Sequence, residues 1–272
     1  LRGLPGKDYF KVKLLLQAAC IVIIMGRCSS NHINDSDQRQ LSPELIITGH
    51  RGAAGISPEN SLEGINIALS LKADRIEVDV HQTRDRVVVL MHDKTIDRTT
   101  AGSGEVKTYS FEELSAFGLK ENQQIPSLEQ AIQKVNGRSV LLIEIKEGGD
   151  YYPGIEASVV ELIRKYEASD WCIIQSFKDE ILQKVHELDA SIPLHKLMVT
   201  AWFYDLEERP YIKEFSVHHS FISSRLIRKV HALGKKINAW TVNDREKMED
   251  LARKGVDGII TDFPSLKNKV RQ

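Results

Sequence analysis

From residue 45 onward, short apolar runs rich in β-branched residues alternate with longer stretches whose apolar positions recur every three or four residues. The runs Leu45–Gly49, Arg75–Val80, Val87–His92, Val140–Ile145, Cys172–Gln175, His195–Val199, Lys236–Val242 and Gly258–Thr261 read as strands, with a ninth, less regular run at Ser216–Phe221. Helical spacing marks Ser61–Leu71, Ser127–Val135, Gly154–Tyr166, Glu180–Leu188, Leu206–Lys213, Ser224–Leu233 and Asp244–Lys254. Pro58, Pro126, Pro153 and Pro264 stand near helix starts, where a missing N–H is tolerated. Gly234 and Gly255 stand just past helix ends, where a left-handed residue is wanted. Strands that alternate with helices pair in parallel. Eight of them in about 220 residues predict a closed (β/α)8 barrel of the α/β class, the TIM-barrel architecture. The ninth run is one too many, so one is accessory or misassigned. Residues 94–125 are too long for a βα connection, rich in Gly and Thr, and helical near Phe111–Phe117. They predict a small insertion after the third strand.

Residues 1–27 follow another pattern. Lys7, Lys11 and Lys13 precede Leu14–Met25, a run broken only by Gln17. A positive flank before an apolar core of this length is the layout of a secretory signal peptide. Cys28 follows it as a candidate lipidation site of the bacterial lipoprotein type, although Arg27 stands where such sites want a small residue. Cys20, behind Ala18 and Ala19, fits locally but leaves too short a core upstream. Polar residues 28–43 read as a tether and 44–272 as the folded part. The expectation is a protein of the bacterial cell envelope, periplasmic or on the outer surface, touching membrane only through a lipid anchor at Cys28. No apolar run reaches the roughly 18 residues of a membrane-spanning helix.

Composition and charge narrow the functions. With 42% hydrophobic and 28% charged residues, the chain as a whole is globular rather than disordered. Its net charge of −1 and pI near 6.8 lack the basic footprint of a nucleic-acid binder. Without residues 1–27, the 37 basic and 38 acidic groups become 32 and 37, a net charge of about −5. Cys172 is then the one cysteine of the folded part, which excludes an internal disulfide. Its neighbours Trp171, Ile173 and Ile174 predict a buried, inert thiol.

In a barrel, the C-terminal ends of the strands face the active site. Polar residues gather at those ends: His50-Arg51-Gly52, Glu77-Val78-Asp79, His92-Asp93, Glu144-Ile145-Lys146, Gln175, Trp240 and Asp262. Residues two apart on a strand share a side, so Glu77 sits with Asp79 and Glu144 with Lys146. Three carboxylates converging on a barrel mouth repel unless a cation lies among them, and all-oxygen ligands suit Mg²⁺ or Ca²⁺. His50 and His92 are suited to proton transfer near neutral pH. The other histidines, including His218 and His219, have no such company and read as surface or structural. Arg51 and Lys146 offer fixed positive charge to an anion. No Ser or Cys nucleophile stands in a motif, and no Walker-type loop or zinc spacing occurs. Cations, a metal and two histidines suit phosphoryl chemistry, in which charge grows on phosphate oxygens.

These runs resemble the ordered signatures of the glycerophosphodiester phosphodiesterase family. His50-Arg51-Gly52 with Pro58-Glu59-Asn60-Ser61 resembles its opening signature, Glu77–Val80 its second, and His92–Thr100 with Gly102 and Gly104 its third. Ile125–Glu129, Glu144–Lys146, Gln175–Phe177, Trp240–Asn243 and Thr261–Pro264 follow in family order, so the resemblance spans residues 46–266. Ser61 departs from the usual Thr but keeps the hydroxyl. The resemblance implies a metal-dependent TIM-barrel hydrolase that splits glycerophosphodiesters into sn-glycerol 3-phosphate and an alcohol. It implies Glu77, Asp79 and Glu144 as ligands of one divalent cation, Ca²⁺ or Mg²⁺, with Glu59 a further candidate to ligate or orient it. It implies His50 and His92 as general acid and base, Arg51 and Lys146 as phosphate-binding cations, and Trp240 as a wall for the substrate's carbon skeleton. A rival reading is a phospholipase C- or lysophospholipase D-type phosphodiesterase acting on a lipid. It would need an apolar rim, for which Tyr109, Phe111 and Phe117 are candidates. The helical spacing of Phe111 and Leu114 favours a core inside the insertion instead. A non-catalytic binding role would be marked by a lost histidine or ligand carboxylate, and none is lost.

Overall fold

A computed structural model describes residues 45–270. The expected signal segment 1–27, the lipidation site at Cys28 and the whole of the tether 28–43 therefore lie outside the described residues. Eight parallel strands close into a barrel: β1 (Ile46–Gly49), β2 (Arg75–Gln82), β4 (Val140–Ile145), β5 (Cys172–Ser176), β6 (Leu194–Met198), β7 (Ile212–His218), β8 (Lys236–Trp240) and β9 (Gly258–Thr261). The first and last are in register, Thr48 beside Ile260 on one side and Arg75 on the other, which closes the ring. The fold is the expected TIM barrel.

Its outer layer is formed by α1 (Leu62–Ser70), α3 (Leu128–Val135), α4 (Ile155–Lys165), α5 (Asp179–Leu188), α6 (Ser224–Ala232) and α7 (Arg245–Lys254), with α8 (Lys267–Val270) at the end. The short α2 (Phe111–Ser115) belongs to the insertion. Helix starts follow local chemistry. Ser61, Ser110, Ser127, Ser223 and Asp244 each accept a backbone N–H from the first turn of their helix. Asn136 and Gly255 end α3 and α7 in the left-handed conformation. Outward-facing strand residues such as Ile47, Ile76, Val78, Ile143, Ile145 and Ile174 are fully buried under this layer. Each such side chain contributes about 1.5–3 kcal/mol.

Three elements differ from the sequence reading. The third apolar run is not a barrel strand: β3 (Val88–Leu90) pairs antiparallel with the end of β2, as a hairpin outside the ring. Its run is uninterrupted because Val88 and Leu90 join the main core while Val89 and Met91 join the core of the insertion. Apolar faces on both sides give the same pattern as a buried parallel strand. The place in the ring belongs to β7, around the ninth run, and it begins earlier. Residues 206–211 form turns instead of the expected helix Leu206–Lys213. Strand β7 looked unlike a strand because Glu214 and Ser216 face the polar barrel interior and a register shift lies opposite Lys213. The insertion has its own core of Ile96, Val106, Leu114, Leu119 and Ile125. Cys172 is buried and unpaired, and burial pushes its thiol up to about 12. Among the described residues no helix is long and apolar enough to cross a membrane.

Candidate active site

The mouth is built first by the loop from β1 into α1. Arg51 takes a left-handed φ of 48° and Gly52 one of 86°. A Cβ at Gly52 would stand 2.8 Å from the backbone of Gly64 in α1, so only glycine fits this turn. The turn aims the Arg51 N–H at Glu77 Oε2, 2.8 Å away, and the Gly52 N–H at the Glu77 carbonyl. At the end of the same loop, Asn60 grips Asp79 twice. Its amide donates to Asp79 Oδ2 at 2.9 Å and its carbonyl accepts the Asp79 N–H at 3.0 Å.

Glu77, Asp79 and Glu144 bring one carboxylate oxygen each within 4.8 Å of one another, all buried. Asp79 and Glu144 are register partners on β2 and β4, which explains the convergence. The Lys146 ammonium lies 2.8 Å from Glu144 and 3.2 Å from Asp79. Burial and the negative charge of Asp79 push the Glu77 and Glu144 carboxyls up. Burial also penalises Asp79, but Lys146 and Arg51 outweigh it and hold Asp79 down. The cluster therefore lacks positive charge. Gln175 Oε1 is buried there without a hydrogen bond, and the Lys146 ammonium stands 3.2 Å from Asp79 Oδ1. Three hard oxygen donors, two of them pushed towards neutrality and with an orphaned acceptor beside them, fit a divalent ion. Glu59 stands outside this cluster. Its carboxylate is held by Arg51 at 2.8 Å and by Arg98 through two bonds of 2.7 Å, which corrects its candidacy as a ligand.

Both histidines line the same cavity as Arg51, Glu77, Glu144 and Lys146. His92 is not on a barrel strand end but follows β3. Each histidine has a carboxylate at Nδ1: His50 with Asp262 and His92 with Asp93, both at 2.6 Å. A carboxylate at Nδ1 fixes the proton there and leaves Nε2 free to accept or return one. Asp262 is itself tied by Asn243, whose amide donates to it at 2.5 Å. Burial pushes His92 down more strongly than Asp79 and Asp93 pull it up. Asp93 is held at about 2, because hydrogen bonds from Arg98 and His92 outweigh its burial. Under His92, the buried His81 holds the His92 carbonyl with Nε2 at 3.1 Å and packs edge-on against Tyr152.

Trp240 forms an apolar wall with Phe177, ring centres 5.7 Å apart. Its indole N–H is shared by the carbonyls of Ser216 and Met198, which fixes the ring. Tyr109, Phe111 and Phe117 pack on the insertion's core, and Tyr109 meets Phe117 edge-on at 5.3 Å. They do not form the apolar rim that a lipid substrate would need. Sequence reasoning brought His50, His92, Arg51, Lys146, Glu77, Asp79, Glu144 and Trp240 to this mouth. It gave no role to Asn60, Asp93, Arg98 or Asp262, although each stands inside a quoted signature. Asn60, Arg98 and Asp262 each contact another signature, and Asp93 joins His92 to Arg98 within its own, pairings that spacing along one chain cannot display.

A closed parallel barrel with carboxylates, histidines and cations gathered at its mouth defines an enzyme of the TIM-barrel class. Residues 50–266 match the glycerophosphoryl diester phosphodiesterase family, and the chain belongs to that family. It is similar to the putative glycerophosphodiester phosphodiesterase YhdW of Bacillus subtilis, 36% identical across 82% of this chain and 96% of that one. It is also similar to a glycerophosphodiester phosphodiesterase of Caldanaerobacter subterraneus, 35% identical across 84% and 99% of the two chains. Among solved structures, an Oleispira antarctica phosphodiesterase in complex with the product sn-glycerol-3-phosphate superposes with a TM-score of 0.79 at 24% identity, over 83% of this chain and 96% of that one. That likeness shows the fold.

Proposed function

We propose that this chain hydrolyses glycerophosphodiesters to sn-glycerol 3-phosphate and an alcohol. The observation that carries the proposal is the single cavity shared by the acidic cluster, two histidines and two cations. Glu77, Asp79 and Glu144 would hold one divalent cation, Ca²⁺ or Mg²⁺, which when bound supplies charge to a phosphate oxygen and lowers the barrier. Arg51 and Lys146 bind the remaining phosphate oxygens and stabilise the charge that grows there. His50 and His92 divide two proton transfers at Nε2. One takes the proton of the attacker, which is water or else the substrate's own 2-hydroxyl with water opening the resulting cyclic phosphate, and the other gives a proton to the departing alcohol. Their Nδ1 carboxylates keep each ring in the required tautomer and orientation. Trp240 and Phe177 receive the carbon skeleton and keep water from that side.

The test is release of sn-glycerol 3-phosphate from glycerophosphocholine, glycerophosphoethanolamine, glycerophosphoglycerol and glycerophosphoinositol, with Ca²⁺, Mg²⁺ or EDTA. Turnover that needs metal and His50 supports the proposal. Silence of a folded protein on all four diesters rejects it. The basic flank and apolar core of residues 1–27 further support export to the bacterial cell envelope with lipid attached at Cys28. Cell fractionation with mass spectrometry of the N-terminus decides this, and an intact cytosolic chain would refute it.

A further inference from the structure

Arg98 lies in the insertion, within the third signature, and no step above uses it. Its guanidinium makes a three-pronged contact. Nε donates to Asp93 Oδ2, Nη1 to Glu59 Oε2 and Nη2 to Glu59 Oε1, all at 2.7 Å. Both carboxylates are also engaged by groups that reach the reaction. Asp93 Oδ1 holds His92 Nδ1 at 2.6 Å, and Glu59 Oε1 holds Arg51 Nη1 at 2.8 Å. One side chain therefore sits midway between a proton-transfer histidine and a phosphate-binding arginine.

The backbone around Arg98 is pinned from both sides. Ile96 is fully buried in the insertion's core, and its N–H donates to the Gly104 carbonyl at 3.0 Å. Asp97 Oδ2 accepts the Gly104 N–H at 3.0 Å, and the Thr100 N–H donates to the Ile96 carbonyl at 3.1 Å. The small core thus delivers one guanidinium to one place. We propose that Arg98 is a positioning residue for the reaction, and that the insertion serves the chemistry by presenting it. It acts through Asp93 on the ring of His92 and through Glu59 on the fork of Arg51, and it does not touch the substrate's reacting atoms.

Its exposure makes this separable from a structural role. The Arg98 side chain is 48% exposed, and a partly solvated ion pair contributes little to stability. A loose catalytic group, by contrast, costs rate steeply. The inference rests on the proposed function, so the experiment must tell the two apart. Steady-state kinetics of the full chain on a diester that it turns over would compare wild type with Arg98→Ala, Asp93→Asn, the double variant and Arg98→Lys, with thermal unfolding alongside. Expected is a kcat loss of about 10–100-fold for Arg98→Ala, with the unfolding midpoint nearly unchanged. The double variant should lose less than the product of the two single losses, because the Asp93 relay is common to both while the Glu59 relay belongs to Arg98 alone. Guanidinium added below denaturing concentration should restore part of the Arg98→Ala loss. Arg98→Lys should fall between, since an ammonium cannot reproduce the planar fork. An active wild type with unchanged Arg98→Ala kinetics overturns the inference and leaves the proposed function standing. So do losses that simply add in the double variant, or an activity loss matched by lost stability and not rescued. A wild type silent on every diester rejects both.

Discussion

At the scale of single residues, the site is a set of matched pairs. Each histidine that faces the cavity has an aspartate at Nδ1, and the arginine that reaches it, Arg51, has Glu59. Replacing His50 or His92 with alanine should lower kcat by about 10²–10⁴-fold with little change in stability, measured on diester turnover and thermal unfolding. The acidic cluster carries a separate prediction. Two buried carboxylates, Glu77 and Glu144, pushed towards neutrality beside an Asp79 held charged, should gain from a cation. Adding Ca²⁺ or Mg²⁺ to chelator-treated protein should raise the unfolding midpoint, by the equivalent of about 2.7 kcal/mol at a hundred times Kd. Calorimetry showing no shift with either ion would argue against a metal at Glu77, Asp79 and Glu144. Most of these groups were legible in the sequence because their chemistry is local to short runs. Asp93 and Asp262 were visible as letters but not as partners. The contact of Asp262 with His50 spans the closure of the barrel.

At the scale of elements, the insertion is the feature to perturb. Gly102 is there for space. A Cβ at Gly102 would lie 2.5 Å from the Phe117 ring and 2.7 Å from Ile96. The ring cannot yield without disturbing the small core that pins Arg98. Gly102→Ala should therefore cost about 1–3 kcal/mol through overpacking. Hydrogen exchange should rise within 94–125 while the barrel strands stay protected, and diester turnover should fall. Uniform destabilisation of the barrel instead would show that the insertion is not a separate unit. The exchange of roles between β3 and β7 also belongs to this scale. Apolar periodicity reports burial, and β3 is buried without being in the ring. Strand β7 is in the ring while turning Glu214 and Ser216 to a polar interior.

At the scale of the whole molecule, the barrel interior holds a buried ionic group at the end away from the mouth. Arg75 donates to both oxygens of Glu214, at 2.8 and 3.0 Å, and Asn238 donates to the same carboxylate at 2.9 Å. His195 Nε2 lies 3.4 Å from it. Burial would raise Glu214, but His195 and Arg75 outweigh it and hold the carboxyl far below its ordinary range. Burial, the largest influence on His195, depresses that ring more than Glu214 raises it. Both shifts have the same sign: on acidification the unfolded chain takes up protons before the folded one does. Stability from His195 is complete above its ordinary value near 6.5 and is lost as pH falls below it. Stability from Glu214 is complete above its ordinary value near 4.5 and is lost below that. The contribution of this group to the unfolding midpoint should therefore fall from pH 7 to pH 4, while Glu77 and Glu144, raised in the fold, gain over the same range and partly offset it. Glu214→Gln should cost about 3–5 kcal/mol at neutral pH by leaving Arg75 without its counter-charge. The same variant should flatten the acid limb, and an unchanged limb would assign it elsewhere.

The sequence by itself determined the class of fold, the order of its elements and the residue types at the mouth. Those follow from periodicity, capping and short motifs, all set by neighbours along the chain. Only the tertiary structure decided which run closes the ring, that Glu59 serves arginines rather than the acidic cluster, and that Arg98 joins His92 to Arg51. Each of those depends on groups tens of residues apart meeting in space. Such meetings are fixed by barrel closure and strand register, which no local pattern of polar and apolar residues encodes.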